Sequence, residues 1–156
     1  MKNRERIRGI IAPILTPMDE KEEVSEKELR NQINRLIENG IGGIFAFGTN
    51  GEGYILSEEE KEKILSIVIE ETDRRVPVYA GTGCISTRDT IRLSKKAEEM
   101  GADVLSIITP SFAAASQEEL YEHYKAVAEE VHVPIVLYNI PARTVSYTHL
   151  RAHETR

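Results

Sequence analysis

Short apolar runs alternate with longer amphipathic segments along most of this chain. Five runs are almost continuously apolar and rich in β-branched residues, at 9–15, 42–47, 76–80, 103–108 and 134–138. Runs of this kind are typical of strands covered on both faces, as in a parallel sheet. The intervening segments have apolar residues at helical spacing, which in the first are Leu29, Ile33, Leu36 and Ile37. The pattern predicts five parallel strands alternating with four helices.

Each helical segment opens with the same polar signal, a serine followed three residues later by an acid. The four pairs are Ser25/Glu28, Ser57/Glu60, Ser86/Asp89 and Ser116/Glu119. In such a capping box the serine oxygen accepts a hydrogen bond from the third helical N–H, and the acid reaches back to the serine amide. Gly40 and Gly101 fall where a left-handed C-cap is expected. We therefore predict that the helices begin at these serines.

Parallel strands joined by right-handed helical crossovers form either a doubly wound open sheet or part of a closed barrel. Periodicity alone does not separate the two. No glycine-rich dinucleotide fingerprint follows the first strand, which favours the barrel. Five strands do not close an eight-stranded barrel. We predict an α/β fold, an incomplete TIM (β/α)8 barrel with its first five strands and four intervening helices.

The last part of the chain has a different character. Residues 145–156 include two of the four histidines but no capping box and no long apolar stripe. We interpret 1–144 as the N-terminal part of a barrel and 145–156 as a tail that is artefactual or disordered, arising from a frame shift or read-through. The alternative is a genuine short helix that caps a smaller protein.

Composition narrows the function classes. Twenty basic and 26 acidic side chains give a net charge of −6, which argues against a nucleic-acid surface. No apolar run approaches the roughly 20 residues of a membrane span, so we expect no membrane association. The single cysteine, Cys84, excludes an internal disulfide and favours a cytoplasmic setting. His123 and His132 are expected to face solvent, and no spacing indicates a metal site, so we predict neither metal nor cofactor.

Candidate functional residues follow the predicted strands, because parallel α/β proteins carry their chemistry there. The glycine-rich turn at 48–53 follows the second strand, and its backbone N–H groups either bind an anion or serve only a tight turn. Tyr138 ends the fifth strand and is either a core residue or a catalytic hydroxyl. Arg143 either binds a carboxylate or is merely solvated.

As a set, these loops resemble the dihydrodipicolinate synthase / N-acetylneuraminate lyase family. The matching stretches are APILTPMD at 12–19, GTNGE at 48–52, AGTG at 80–83, Thr109-Pro110 and YNIPART at 138–144. The resemblance covers about Gly9 to Thr144. It implies a TIM barrel, a homotetrameric full-length parent and a class I aldolase mechanism. In that mechanism a lysine on the sixth strand forms a Schiff base with pyruvate, and an aldehyde is the second substrate.

The resemblance also implies a role for each matching residue. Thr49 relays protons and, with Asn50 and Gly51, binds the keto-acid carboxylate. Tyr138 moves protons to and from the imine-forming centre. Arg143 faces the second substrate at the site entrance.

Three departures from the family pattern bear on these roles. Asn50 replaces a second threonine, but backbone donors survive that change. Phe112 replaces a tyrosine that completes the proton relay across a subunit interface, and a phenylalanine transfers no proton. The sixth-strand lysine falls beyond the chain, so we expect this polypeptide not to form the imine. The alternatives are therefore a non-catalytic keto-acid-binding homologue and a non-functional truncated fragment.

Overall fold

The computed structural model describes residues 7–112 and 114–140, and these form five strands alternating with four helices. The five predicted strands and four predicted helices are confirmed, with strands somewhat shorter than the apolar runs. The elements are β1 (Ile11–Pro13), α1 (Glu26–Glu38), β2 (Gly43–Ala46), α2 (Glu58–Thr72), β3 (Val78–Gly81), α3 (Thr87–Met100), β4 (Val104–Ile108), α4 (Gln117–Ala128) and β5 (Ile135–Tyr138).

The five strands form one parallel sheet in which each strand pairs with the next in sequence, in the order β1-β2-β3-β4-β5. A doubly wound sheet reverses its strand order at a switch point, whereas a barrel does not. The rings of Phe45 on β2 and Tyr138 on β5 meet edge to face, with centroids 6.2 Å apart. In a flat sheet these strands would be about 14 Å apart, so the sheet curls as in a barrel. The predicted fold class is confirmed.

Alternate residues of each strand face two different environments. Ile44, Val78, Leu105 and Ile107 point outward into a core that they share with the helices, where Leu29 and Ile33 are fully buried and the other two stripe residues of α1 are partly buried. Phe45 pairs in register with Tyr79, on the opposite, inner face of the sheet. The main hydrophobic core therefore lies between the sheet and the helices, and the concave inner face carries the remaining strand side chains.

Two of the four predicted capping boxes form completely, at Ser57/Glu60 and Ser116/Glu119. Ser86 accepts from the amide of Asp89, but aspartate is one methylene shorter than glutamate and no return bond forms. Ser25 is an N-cap without a side-chain bond, so the predicted box is wrong there. Its amide instead donates to the carbonyl of Pro17, which leaves no donor for an acid to reach. Gly40 and Gly101 have the predicted positive φ, +79° and +107°.

His123 corrects one expectation, because it is buried rather than solvent-facing. Only 6% of the residue is exposed, and its Nδ1 lies 2.9 Å from the Thr87 hydroxyl across the α3–α4 contact. Burial lowers the pKa of its imidazole. His132 is exposed, as expected. The predicted tail at 145–156 and Arg143 lie outside the described residues.

Candidate functional site

Loops that follow the strands gather at one edge of the sheet, which we call the carboxyl edge. It comprises residues 14–25, 47–57, 82–86, 109–116 and 139–140, except for 113, which lies outside the described residues. Because all five strands are parallel, the predicted site residues Thr49, Asn50, Gly51 and Tyr138 share this edge. Arg143, the remaining predicted site residue, cannot be placed on it from the described residues.

The turn after β2 is wound tightly by its own backbone. The amides of Gly51 and Gly53 both donate to the carbonyl of Gly48, at 3.1 and 3.3 Å, and the amide of Glu52 donates to that of Thr49 at 3.2 Å. Glu52 adopts a positive φ of 52° to complete the turn. Three of the six residues in 48–53 thus donate their N–H groups to hydrogen bonds within the turn.

Two successive amides of the same turn, those of Thr49 and Asn50, donate to no acceptor among the described residues. Thr49 is half-buried and Asn50 is exposed, and both residues line an open groove beside α1. Adjacent N–H groups left free in a turn form a concavity that attracts an anion. The amide of Gly51 already donates to the Gly48 carbonyl. Gly51 therefore contributes to the site by fitting the tight turn and not by donating a hydrogen bond to a ligand. The geometry suits a small carboxylate held by backbone donors.

Tyr138 ends β5 on the inner face, half-buried, with its ring against Phe45. Its backbone carbonyl accepts from the amide of Thr109 at 3.0 Å, which fixes the end of β5 to that of β4. The Thr109 hydroxyl donates to Oδ1 of Asn139, the residue after Tyr138, at 3.3 Å. The phenolic oxygen makes no hydrogen bond with the described residues. The ring is therefore held in place while the hydroxyl stays available.

Loops after β3 and β4 complete the edge with different properties. The hydroxyls of Thr82 and Ser94 lie 2.8 Å apart in a buried contact that ties the β3 loop to α3. Burial raises the pKa of the Cys84 thiol, which disfavours the reactive thiolate. Phe112, in the β4 loop, is 92% exposed and has a φ of +81°. For an aromatic residue this backbone conformation is strained, and strain of this kind concentrates at functional sites.

Sequence reasoning missed one residue of this edge, Thr16. Its hydroxyl donates to the carbonyl of Gly51 at 2.7 Å and joins the loop after β1 to the glycine-rich turn. The signal that would have found it is the rule that selected the other residues, since Thr16 also follows a parallel strand. A polar groove of about 830 Å³ lies beside this contact, between the two loops and α1.

The described residues contain no cluster of three or more side chains suited to a metal ion. Within the same part of the chain, no helix has the length and apolar character needed to cross a membrane.

Comparisons with known proteins agree with the fold and with the motifs. The model of the Dihydrodipicolinate synthetase family matches residues 6–152. A 4-hydroxy-tetrahydrodipicolinate synthase of Bacillus velezensis is 44% identical over 138 residues, 88% of this chain and 48% of that protein. The synthase of Syntrophus aciditrophicus is 47% identical over 137 residues, 88% of this chain and 47% of that protein.

A solved structure shows the same arrangement of strands and helices. The chloride-inhibited dihydrodipicolinate synthase of Acinetobacter baumannii, crystallised with pyruvate, superposes with a TM-score of 0.88 at 43% identity. The match covers 90% of this chain and 48% of that one. The chain spans about half the length of the curated relatives it matches. The resemblance inferred from the loop motifs is confirmed, and the chain belongs to the dihydrodipicolinate synthetase family.

Proposed function

We propose that this chain carries the keto-acid-binding part of a 4-hydroxy-tetrahydrodipicolinate synthase or a related 2-keto acid aldolase that handles pyruvate as a Schiff base. The observation that carries the proposal is the pair of free amides at Thr49 and Asn50, on the same edge as the Tyr138 hydroxyl. Relatives named as such synthases, and a relative crystallised with pyruvate, support this choice of substrate.

In this mechanism the amides of Thr49 and Asn50 bind the pyruvate carboxylate, beside Gly51. The Thr49 and Tyr138 hydroxyls relay a proton to the carbinolamine hydroxyl, which leaves as water and gives the protonated imine. The methyl group then returns a proton to the relay to give an enamine, whose carbon attacks an aldehyde while the relay protonates the aldehyde oxygen. Arg143, outside the described residues, binds a carboxylate of that second substrate.

The amine of the Schiff base does not come from the described lysines. Those lysines lie on the helices or in the loop after β1, away from the inner face, and they are residues Lys21, Lys27, Lys61, Lys63, Lys95, Lys96 and Lys125. A solvated lysine at an outer position keeps its charge and is a poor nucleophile. We therefore assign carboxylate binding and proton relay to this chain and, as the family resemblance implies, the imine to a lysine on a sixth strand.

Phe112 favours a second candidate function, keto-acid binding without catalysis. It occupies the position where the family resemblance implies a relay tyrosine, and its ring has no exchangeable proton. The resemblance further predicts an aldehyde as second substrate and a homotetrameric full-length parent, and the single cysteine predicts a cytoplasmic location. These stay predictions.

Carboxylate binding is tested directly on this chain by titrating the ¹⁵N-labelled protein with pyruvate. We expect the largest amide shifts at Thr49 and Asn50. Methyl pyruvate is the matched control, because it has the same ketone but no charged carboxylate, and it should shift these amides little. Equal shifts with both ligands, or no shift with pyruvate, would overturn the proposal.

A further inference from the structure

We infer that Thr16 is a positioning residue, which aims the free amides of Thr49 and Asn50 by holding the carbonyl of Gly51. The inference deepens the proposed function and rests on it for the identity of the ligand. It assigns a role to a residue that touches neither substrate nor reacting atoms, in a loop that precedes the turn by about 35 residues.

The loop that carries Thr16 is itself fixed on both sides. The amide of Ile14 continues the β1–β2 ladder by donating to the carbonyl of Phe45 at 3.0 Å. The Gln32 side chain on α1 pairs with both backbone groups of Leu15, at 2.9 and 3.3 Å. On the other side, the carbonyl of Pro17 accepts from the amide of Ser25 at 2.9 Å. Thr16 therefore projects its hydroxyl from a platform that is anchored to β2, to α1 and to the helix cap.

The glycine-rich turn presses against this platform. A Cβ atom on Gly51 would lie 2.8 Å from the Ile14 carbonyl oxygen and 3.5 Å from the Thr16 hydroxyl oxygen, so only glycine fits this contact. Gly51 is also buried. Among the described residues, one side-chain hydrogen bond holds the turn there, from the Thr16 hydroxyl to the Gly51 carbonyl at 2.7 Å.

Fixing the Gly51 carbonyl determines where the two preceding amides point. The bonds from Gly51 and Gly53 to Gly48 close the turn but do not attach it to the rest of the protein. Without the Thr16 hydroxyl, the turn loses its side-chain bond to the β1 loop, so it opens more often and its orientation relative to the sheet is less well defined. Binding of an anion by two amides depends on their alignment, so a looser turn binds more weakly.

Three variants of Thr16 separate the hydroxyl from the bulk of the side chain. Thr16→Val replaces the hydroxyl by a methyl group of similar size, Thr16→Ala removes both, and Thr16→Ser keeps the donor. Thr72→Val is the matched control, since Thr72 is fully buried and its hydroxyl has no partner among the described residues. All four are made in the full chain and titrated with pyruvate while the Thr49 and Asn50 amides are followed.

We expect Thr16→Val and Thr16→Ala to weaken pyruvate binding at least about fivefold, the size expected for one lost hydrogen bond. Thr16→Ser should stay within about twofold of the wild type, and Thr72→Val should not change binding. Wild-type affinity in both hydroxyl-free variants, or a loss in Thr16→Ser as large as in Thr16→Val, would overturn the inference.

Amide exchange in the ligand-free proteins makes the inference independent of the ligand. If the wild type binds no pyruvate, the proposed function fails, but the role of Thr16 is still measurable. Exchange at Gly51, Glu52 and Gly53 should be about fivefold faster in Thr16→Val and unchanged in Thr16→Ser. Equal exchange in Thr16→Val and the wild type would show that Thr16 does not hold the turn.

Discussion

The outer helical layer and the carboxyl edge differ in how their exposed polar groups are used: ion pairs join neighbouring helices, whereas two backbone donors at the edge have no acceptor among the described residues. Arg30 on α1 binds three carboxylates, from Glu26, Glu70 and Glu71, each within 2.8 Å. These bonds hold the pKa of the Arg30 guanidinium far above its usual range and lower that of the Glu71 carboxyl. Comparable pairs join α2 to α3 and α3 to the segment after α4, including Lys96–Glu62 and Lys95–Glu130.

At the carboxyl edge, two features contrast with this pairing. The amides of Thr49 and Asn50 have no acceptor among the described residues, and Phe112 exposes its ring. Phe47, Glu52 and Phe112 there adopt positive φ values of 65°, 52° and 81°. Positive φ values also occur at Asp73 and Arg74 after α2, so the two regions differ less in backbone strain than in their contacts: ion pairs tie the helices together, and the edge presents donors to a ligand.

The largest effect on stability is expected from shortening a side chain in the core between the sheet and the helices. Leu29 on α1 is fully buried, and Leu29→Ala should lower the free energy of unfolding by about 3 kcal/mol because it leaves a cavity. Ile85→Ala, at a site 67% exposed on the carboxyl edge, should change it by less than about 0.5 kcal/mol. Urea denaturation of both variants measures the difference, and similar losses would contradict the division between the two regions.

Adding one methyl group at the edge should affect both stability and binding. Gly51→Ala places a Cβ 2.8 Å from the Ile14 carbonyl, so we expect a loss of about 1–3 kcal/mol and no measurable pyruvate binding. Gly40→Ala is the control, because its Cβ meets nothing within 4 Å although φ is +79°. That variant should lose some stability through backbone strain but keep pyruvate binding. Retained binding in Gly51→Ala would contradict the tight fit of the turn.

The buried imidazole of His123 should make stability depend on pH. Burial lowers its pKa in the folded protein, so the unfolded state takes up a proton first as the pH falls below the ordinary value of about 6.5. The free energy of unfolding should therefore be independent of this group above that pH. Below it, the free energy of unfolding should decrease by at most about 1.4 kcal/mol per pH unit.

Substitution at this position isolates the effect from that of the carboxylates, whose pKa values lie lower. His123→Gln should flatten the profile just below pH 6.5. An unchanged slope in His123→Gln would show that another group is responsible.

The smallest effects should come from the helix caps. Ser57→Ala removes the bond accepted from the Glu60 amide and should cost about 1 kcal/mol. Ser25 accepts no such bond, so Ser25→Ala should cost much less. Thermal unfolding of the two variants compares them, and equal losses would mean that the Ser25 side chain caps its helix after all.

Local rules predicted most of the fold from the sequence. Apolar runs gave the strands, and serine–acid pairs gave the helix starts, because both signals depend on neighbouring residues. The failures involve contacts between distant parts of the chain. The Ser25 amide donates to the carbonyl of Pro17, so no capping box forms there. His123 is buried by the packing of α3 on α4. No local pattern carries that information.

The candidate site also contains residues that local rules select and a residue that only a distant contact reveals. Thr49, Asn50, Gly51 and Tyr138 were chosen as candidates because the ends of parallel strands meet at one edge and because the loops resemble a known family, and the structure places all four at that edge. The proposed role of each remains a prediction. Thr16 was missed because its importance comes from one bond across about 35 residues, which spacing in the sequence does not reveal.

Strand order has a consequence for how the molecule assembles during synthesis. Because every strand pairs with the one made just before it, each new strand finds its partner strand already synthesised. The pairings join residues 25 to 34 positions apart, as in Tyr79↔Val104 and Ile44↔Val78, so growth of the sheet requires no contact of longer range. The same order lets folding proceed from the N-terminus, one unit at a time, as the chain leaves the ribosome.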